Sequence, residues 1–111
     1  MTRSKLPARV RSSGATKPPR SCASHRAWVR KHHCSVRNCK RIPIECAHVR
    51  TTANGGMGLK PADRWCISLC AWHHAEQHRI GERTFSNKYD FDLAELASEF
   101  ARSSPYRDRL V

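Results

Sequence analysis

A chain of 111 residues, 39% of them hydrophobic, can form one small domain with short tails but cannot bury a large core. Its formal net charge of +12 is unevenly distributed: twelve of the 21 Lys and Arg residues precede Glu45, the first acidic residue. Such one-signed charge suits a polyanion such as DNA, because phosphates neutralised by cationic side chains release counterions. The alternative is a solvated basic tail that only aids solubility.

The cysteine and histidine content indicates metal binding rather than disulfide bonding. Six cysteines and seven histidines occur, and the basic N-terminus lacks the apolar segment of a secretory signal peptide. We therefore expect a cytoplasmic protein whose reduced cysteines serve as thiolate ligands. No apolar run approaches the roughly 20 residues that a membrane span requires, so no membrane partner is expected.

Composition divides the chain into three regions. Residues 1–24 are rich in Pro, Ser and basic residues, and we predict a disordered basic tail that makes loose phosphate contacts. Residues 25–104 are predicted to form the folded domain. Residues 105–111 are predicted to be a C-terminal tail.

Two short motifs predict a structural zinc site. Cys34 and Cys39 form a Cys-x4-Cys turn, in which Asn38 can take a tight backbone conformation. Cys70 and His73 form a Cys-x2-His pair farther along the chain. Two ligands from each of two segments give the tetrahedral Cys3His set of a structural Zn²⁺ site. The alternative is that the first pair are ordinary reduced cysteines.

Two short strands are predicted on either side of a glycine-rich loop. Residues 42–50 combine small and β-branched residues with a Pro near the start, and alternation places His48 on a face shared with apolar residues. A histidine there could also be a core histidine. Residues 51–63 have three glycines within four positions and must form a loop, whose backbone can approach a ligand closely. Residues 65–69 are predicted to form the second strand, antiparallel to the first.

The next segment predicts a helix that carries a second metal site. Its second half, Ala-Glu-Gln-His, has good helix formers and no Gly or Pro, and the segment contains His74 and His78, which are four residues apart. On a helix both rings lie on one face and can bind one ion from the same side. Gly81 is expected to end this helix.

A second helix is predicted over residues 90–101. Asp90 or Asp92 can cap its start, and apolar residues recur at intervals of three and four positions. We expect this apolar stripe to pack on the strands and the first helix. A partner-binding face is the alternative.

The order of these features resembles that of the HNH endonucleases of the ββα-metal class. A zinc turn, a strand ending in Ala-His-Val, a glycine-rich loop, a second strand, and Leu-Cys-Ala-Trp-His-His at a helix start follow one another within residues 34–88. Several runs are similar to a phage and prophage group related to the phage recombination-enhancement nucleases. These runs are 48–50, 55–63, 69–74, 76–78 and 81–85. The resemblance implies a small α+β fold with a ββα-metal core, a structural zinc site and a C-terminal helix.

The resemblance also implies a catalytic base. His48 matches the first histidine of the HNH motif, which takes a proton from the attacking water. The middle Asn of the motif has no clean match in this chain. Asp63 is the candidate to orient the His48 ring through its other nitrogen, and Asn54 is the alternative.

For the catalytic metal, the resemblance implies ligands on the helix. His74 matches the final histidine of the motif, and His78 fits the His-x3-His pair of some members. Many relatives have an acidic metal ligand just before the base, where this chain has Ala47. The ion would then have two protein ligands, or would also bind Asp63 or Glu45.

The same residue types suit phosphodiester hydrolysis on chemical grounds. Neutral imidazole, with an ordinary pKa of about 6.5, can abstract a proton near neutral pH, and a divalent ion with open positions acts as a Lewis acid. Arg50 is expected on the same side of the strand as His48, where it could hold the scissile phosphate. Further candidates for DNA contacts, with a solvated charge as the alternative for each, are Lys60, Arg64 and Arg79.

We therefore expect a metal-dependent DNA endonuclease or nickase with a structural Zn²⁺ and a catalytic Mg²⁺, Mn²⁺ or Zn²⁺. The expected partner is DNA, and the resemblance adds a recombinase filament. The alternative is a non-catalytic zinc-binding nucleic-acid module, in which the histidines pack or complete a second structural site. Cysteines without an assigned role, available to such a site, are Cys22, Cys46 and Cys66.

Overall fold

The computed structural model describes residues 21–50 and 61–110. Most of the predicted basic tail and of the glycine-rich loop, with Asn54 and Lys60, lies outside these residues. The described chain is a small α+β domain of four helices, a two-stranded sheet and one 3-10 turn. In chain order the elements are α1 (Ala23–Val29), β1 (Ile44–His48), β2 (Cys66–Cys70), α2 (Ala71–Ile80), α3 (Glu82–Tyr89), α4 (Leu93–Ser103) and the 3-10 turn (Arg107–Arg109).

The sheet is the antiparallel pair that the sequence predicts. Its register runs from Ile44 opposite Cys70 to His48 opposite Cys66. Each strand is five residues long, so β1 is shorter than the predicted 42–50 segment. Beyond its end the chain still pairs once, through a 2.7 Å hydrogen bond from the Val49 N–H to the Trp65 carbonyl. The sheet is thus short, and its register places the end of β1 beside the start of β2.

The core lies between the sheet and the C-terminal helices. Ala47, Ile67 and Leu69 are fully buried, as expected for alternating inward positions of two paired strands. The predicted apolar stripe of the last helix packs against them, with Leu93 and Ala97 buried. This arrangement agrees with the expectation that the stripe covers the strands rather than a partner.

Helix α3 was not among the predicted elements. Gly81 ends α2 as expected, with a φ of 89° that favours glycine, and the chain immediately starts a new helix. Phe85 anchors α3 because its side chain is fully buried in the core. Asp90 ends α3 in the left-handed conformation (φ 56°), so the cap of the last helix is Asp92, the second of the two candidates.

Replacing Asp92 with Ala should destabilise the domain by about 1 kcal/mol, the usual cost of removing an N-cap side chain. Its carboxylate accepts a 3.0 Å hydrogen bond from the Glu95 N–H, a donor that has no partner within the helix. Urea unfolding of the variant measures the loss. Glu99→Ala, an exposed change in the same helix, is the control, and equal stability of the two variants would contradict the capping role.

Helix α1 lies at the predicted start of the domain near residue 25. The helix starts at Ala23, and the preceding Cys22 is buried and donates its backbone N–H to Asp63. The buried His25 ring is within 2.9 Å of the Ser104 hydroxyl, so α1 is tied to the end of α4. Within the described ranges, no helix is long and apolar enough to cross a membrane.

Candidate functional site

The structure brings the two predicted halves of the structural metal site together. One ligand atom each from Cys34, Cys39, Cys70 and His73 lies within 4.8 Å of all the others. The His73 Nδ1 atom is 3.4 Å, 3.5 Å and 3.2 Å from the three sulfurs in that order. The sulfurs of Cys39 and Cys70 are 4.0 Å apart. We call this group the Cys3His cluster.

Local backbone geometry explains why these side chains converge. Asn38 takes the tight conformation that the sequence predicts, with a φ of 65°, and so turns the chain between the first two cysteines. Cys70 ends β2 and caps α2, and its sulfur accepts a 3.4 Å hydrogen bond from the His73 N–H. The Cys-x2-His spacing therefore places both side chains at one point of the strand-to-helix turn.

The distances suit a tetrahedral ion of the zinc type. With metal–sulfur and metal–nitrogen bonds of about 2.3 and 2.0–2.1 Å, tetrahedral geometry puts two sulfurs about 3.8 Å apart and sulfur and nitrogen about 3.6 Å apart. Burial raises the pKa of the Cys34 thiol to about 11 and lowers the pKa of His73. A neutral His73 ring is the form that ligates, and the buried thiol releases its proton when a cation takes its place. The Cys3His cluster could thus hold a metal ion.

A second group of predicted residues lines one cleft of about 600 Å³. One wall comes from the end of β1 and the segment after it, and the other comes from α2 and the start of α3. Gln77 of α2 holds the two walls together with a 3.4 Å hydrogen bond to the His48 carbonyl. The lining residues are Cys46, His48, Arg50, Pro61, His74, Gln77, His78, Gly81 and Glu82.

The imidazole of His48 is held by Asp63. Its Nε2 atom is 2.7 Å from the Asp63 Oδ1 atom, and its side chain remains 19% exposed, so the ring borders the cleft rather than the core. Since Nε2–H donates to the carboxylate, Nδ1 keeps its lone pair. The ring can therefore accept a proton from a molecule in the cleft.

The Asp63 carboxylate is itself fixed by other donors. Its Oδ2 atom accepts a 2.6 Å hydrogen bond from the Cys22 N–H and one from the Arg26 guanidinium. Burial alone would raise the pKa of Asp63, but the Cys22 N–H, His48 and Arg26 together lower it below the ordinary value. Asp63 thus stays ionised at neutral pH, which suits a group that orients an imidazole.

His74 and His78 point their Nε2 atoms at each other across 3.3 Å. Two nitrogens that bind one ion at about 2.1 Å lie about 3.0–3.4 Å apart in octahedral or tetrahedral geometry. The Nδ1 atom of His74 donates to the Glu45 carboxylate at 2.7 Å, which leaves Nε2 with its lone pair. The pair could hold a metal ion, with Glu45 as the orienting partner of His74 and not, in this arrangement, as a ligand.

Arg50 and Glu82 border the same cleft. The backbone N–H of Arg50 donates to both oxygens of the Glu82 carboxylate, at 3.2 and 2.9 Å. Burial raises the pKa of Glu82, although the Arg50 N–H and its charge partly oppose this. Arg50 lies beyond the end of β1 and lines the same cleft as His48.

Two of the predicted DNA contacts lie elsewhere in the described structure. The Arg64 guanidinium stacks on the Trp65 ring at 4.9 Å and lines a hollow on the side of α4. Arg79 is 3.9 Å from the buried Glu76 carboxylate and does not line the cleft. Closeness in sequence is the only basis for predicting these two contacts, and neither residue lines the cleft.

Sequence reasoning missed three partners of the site. It considered Glu45 only as a metal ligand, and it did not include Arg26 or Glu82. Arg26 is 37 residues from Asp63, so no local pattern links them. Glu82 follows the glycine that ends α2, and this break in the helix was the available signal that the next side chain could reach a different segment, here the Arg50 backbone.

No curated protein and no solved structure gives a significant match to the chain. The model of one family, described as "Putative HNHc nuclease", matches residues 4–100. This match includes the whole Cys3His cluster and every residue that lines the cleft. The chain therefore belongs to this HNH nuclease family.

Proposed function

We propose that the protein is a metal-dependent DNA endonuclease or nickase whose active site is the cleft between His48 and the His74–His78 pair. The observation that carries the proposal is the convergence of these three imidazoles on one cleft from two separate elements. A carboxylate orients an imidazole on each wall of the cleft: Asp63 contacts His48, and Glu45 contacts His74 of the helical pair. A protein that only binds nucleic acid has no need of imidazole groups that line one cleft and are oriented by carboxylates.

The proposed reaction is the hydrolysis of a phosphodiester. His48 accepts a proton at Nδ1 from water, whose oxygen forms the new bond to phosphorus while the bond to the leaving oxygen breaks. Asp63 accepts a hydrogen bond from Nε2–H and stabilises the imidazolium that forms. Positive charge on this ring is thus compensated at the moment it appears.

The helical pair supplies the opposite side of the cleft. His74 and His78 would hold a divalent cation, Mg²⁺, Mn²⁺ or Zn²⁺, which when bound neutralises charge on the phosphate and on the leaving oxygen. Arg50 borders the same space and is proposed to bind the scissile phosphate. Ala47 stands where many relatives have an acidic ligand, and its methyl side chain has no atom that can bind a metal ion.

We assign the Cys3His cluster to a structural Zn²⁺ ion. Four protein ligands close the coordination sphere, which is the arrangement of structural rather than catalytic zinc. The cluster fixes the start of α2, the helix that carries His74 and His78. Its role in hydrolysis is therefore to position the second wall of the cleft.

DNA is the proposed substrate because the chain carries a net charge of +12. The resemblance of its motifs to phage and prophage nucleases extends the proposal to DNA recombination, with a recombinase filament as a partner. A nicking assay with and without recombinase tests this extension separately from the chemistry.

The test of the proposed function is plasmid nicking in the presence of Mg²⁺ or Mn²⁺. The parent should cleave, a chelator should stop it, and His74→Ala should lose cleavage while the fold is retained. His33→Ala is the matched control, because this exposed histidine does not line the cleft. Absence of cleavage by the parent with intact DNA binding would overturn the proposal in favour of a binding module.

A further inference from the structure

The wall of the cleft behind His48 carries thiols that the proposed hydrolysis does not use. Ligand atoms of His48, Asp63 and Cys66 lie within 4.8 Å of one another. His48 and Cys66 are opposite each other in the β1–β2 register, so their side chains leave the same face of the sheet. The Cys66 thiol also contacts that of Cys46, which lines the cleft.

This donor set has the chemistry of a thiophilic metal site. It combines an imidazole nitrogen, a carboxylate oxygen and two sulfurs, which suit Zn²⁺ or Cd²⁺ but not Mg²⁺, an ion that prefers an octahedron of oxygens. Asp63 is aligned for such an ion because Cys22 and Arg26 occupy its Oδ2 atom and leave Oδ1 facing His48. Since His48 and Cys46 both border the cleft, an ion has an entrance.

We propose that His48, Asp63 and Cys66, with Cys46 as the fourth donor, form an inhibitory binding site for Zn²⁺ and other thiophilic cations. A cation bound there replaces the proton that His48 shares with Asp63, and the thiols release their protons to solvent. The neutral ring then carries its one proton on Nδ1. It has no lone pair left with which to accept a proton from water, so the base is blocked.

The binding site rests on the convergence of His48, Asp63 and Cys66 and on the contact of Cys66 with Cys46. The inhibition rests in addition on the proposed function, because it matters only if His48 is the base. The binding step and the inhibition are therefore tested by separate measurements, which keeps a failure of one distinguishable from a failure of the other.

Binding is measured with Cd²⁺, whose thiolate complexes absorb in the ultraviolet by charge transfer. The parent at saturation should show a larger thiolate band than Cys66→Ser, because the Cys3His cluster alone remains in that variant. The histidine pair on α2 adds nothing to this band, since it has no thiol. Cys22→Ser, which removes a nearby buried thiol outside the donor set, should match the parent.

Equal saturating bands for the parent and Cys66→Ser would overturn the site. Because Cys66 is fully buried, the half-exposed Cys46→Ser variant provides a second test should Cys66→Ser fold poorly. Its band should also be smaller than that of the parent. If neither substitution reduces the thiolate band, the proposed ion does not bind at these cysteines.

Inhibition is measured by plasmid nicking with Mg²⁺ while Zn²⁺ is added, each variant being scored relative to its own rate without Zn²⁺. The concentration for half-inhibition should rise at least about 10-fold in Cys66→Ser, since even the loss of an outer partner of a metal ligand weakens binding by that order. An equal response of parent and variant would overturn the inhibitory role. Absence of nicking in every sample would instead refute the proposed function, and the Cd²⁺ band would still decide the site.

Discussion

Replacing Cys70 or Cys34 with Ser should unfold the domain, and a strong chelator should do the same to the parent. The Cys3His cluster joins the segment after α1 to the start of α2. The sheet beside it has only two strands of five residues each, so it can contribute little stability of its own. Zinc binding in small domains is worth about 10–16 kcal/mol of folding free energy, which equals or exceeds the 5–15 kcal/mol total stability of a typical domain. If the cluster holds zinc as proposed, loss of one ligand is therefore expected to remove enough free energy to unfold the domain.

The measurement is thermal unfolding by circular dichroism together with the metal content of each purified variant. Cys46→Ser is the matched control, because this cysteine lies on the same sheet but outside the cluster, and it should keep both its melting temperature and its structural ion. His74→Ala should likewise remain folded, although it follows a cluster ligand directly. A Cys70→Ser protein with full thermal stability and metal content would show that the cluster is not the structural site.

Each half of the cluster could be predicted from the sequence because its information is local, and the two halves together supply the four ligands that a structural zinc site needs. Cys-x4-Cys and Cys-x2-His are spacings that a turn and a helix start convert directly into geometry, and Asn38 marked the turn. The strand pair and the last helix follow from alternation and from a stripe at three and four positions, which are also short-range patterns. Gly81 marked the end of α2 for the same reason.

The neighbourhood of the imidazoles was predictable only in part, because it depends on packing between distant segments. The placement of Asp63 against His48 was expected from a family resemblance and not from any local pattern. The contact of Glu45 with His74 requires α2 to lie over β1, and Arg26 reaches Asp63 only once α1 has packed beside the sheet. Helix α3 was missed because it is only eight residues long and its core-facing side is a single pair of aromatic residues, Phe85 and Tyr89, four positions apart.

His48→Ala should lower the cleavage rate by a factor of about 10² to 10⁴, the usual contribution of a general base. The His48 side chain borders the cleft and is partly exposed, and its ring forms a hydrogen bond with Asp63. Removal of the ring should therefore leave the fold and DNA binding in place. Asp63→Asn should reduce the rate as well, since the amide cannot compensate an imidazolium charge. Single-turnover nicking with saturating divalent ion measures both effects.

Added imidazole separates a base from a residue that merely supports the fold. In His48→Ala the vacated space opens on the cleft, so free imidazole can enter beside Asp63 and accept the proton in place of the missing ring. The rate should then rise with imidazole concentration in His48→Ala but not in Asp63→Asn, which keeps its own ring. Unreduced cleavage by a folded His48→Ala protein would mean that another group activates the water, and the cleft would need a different base.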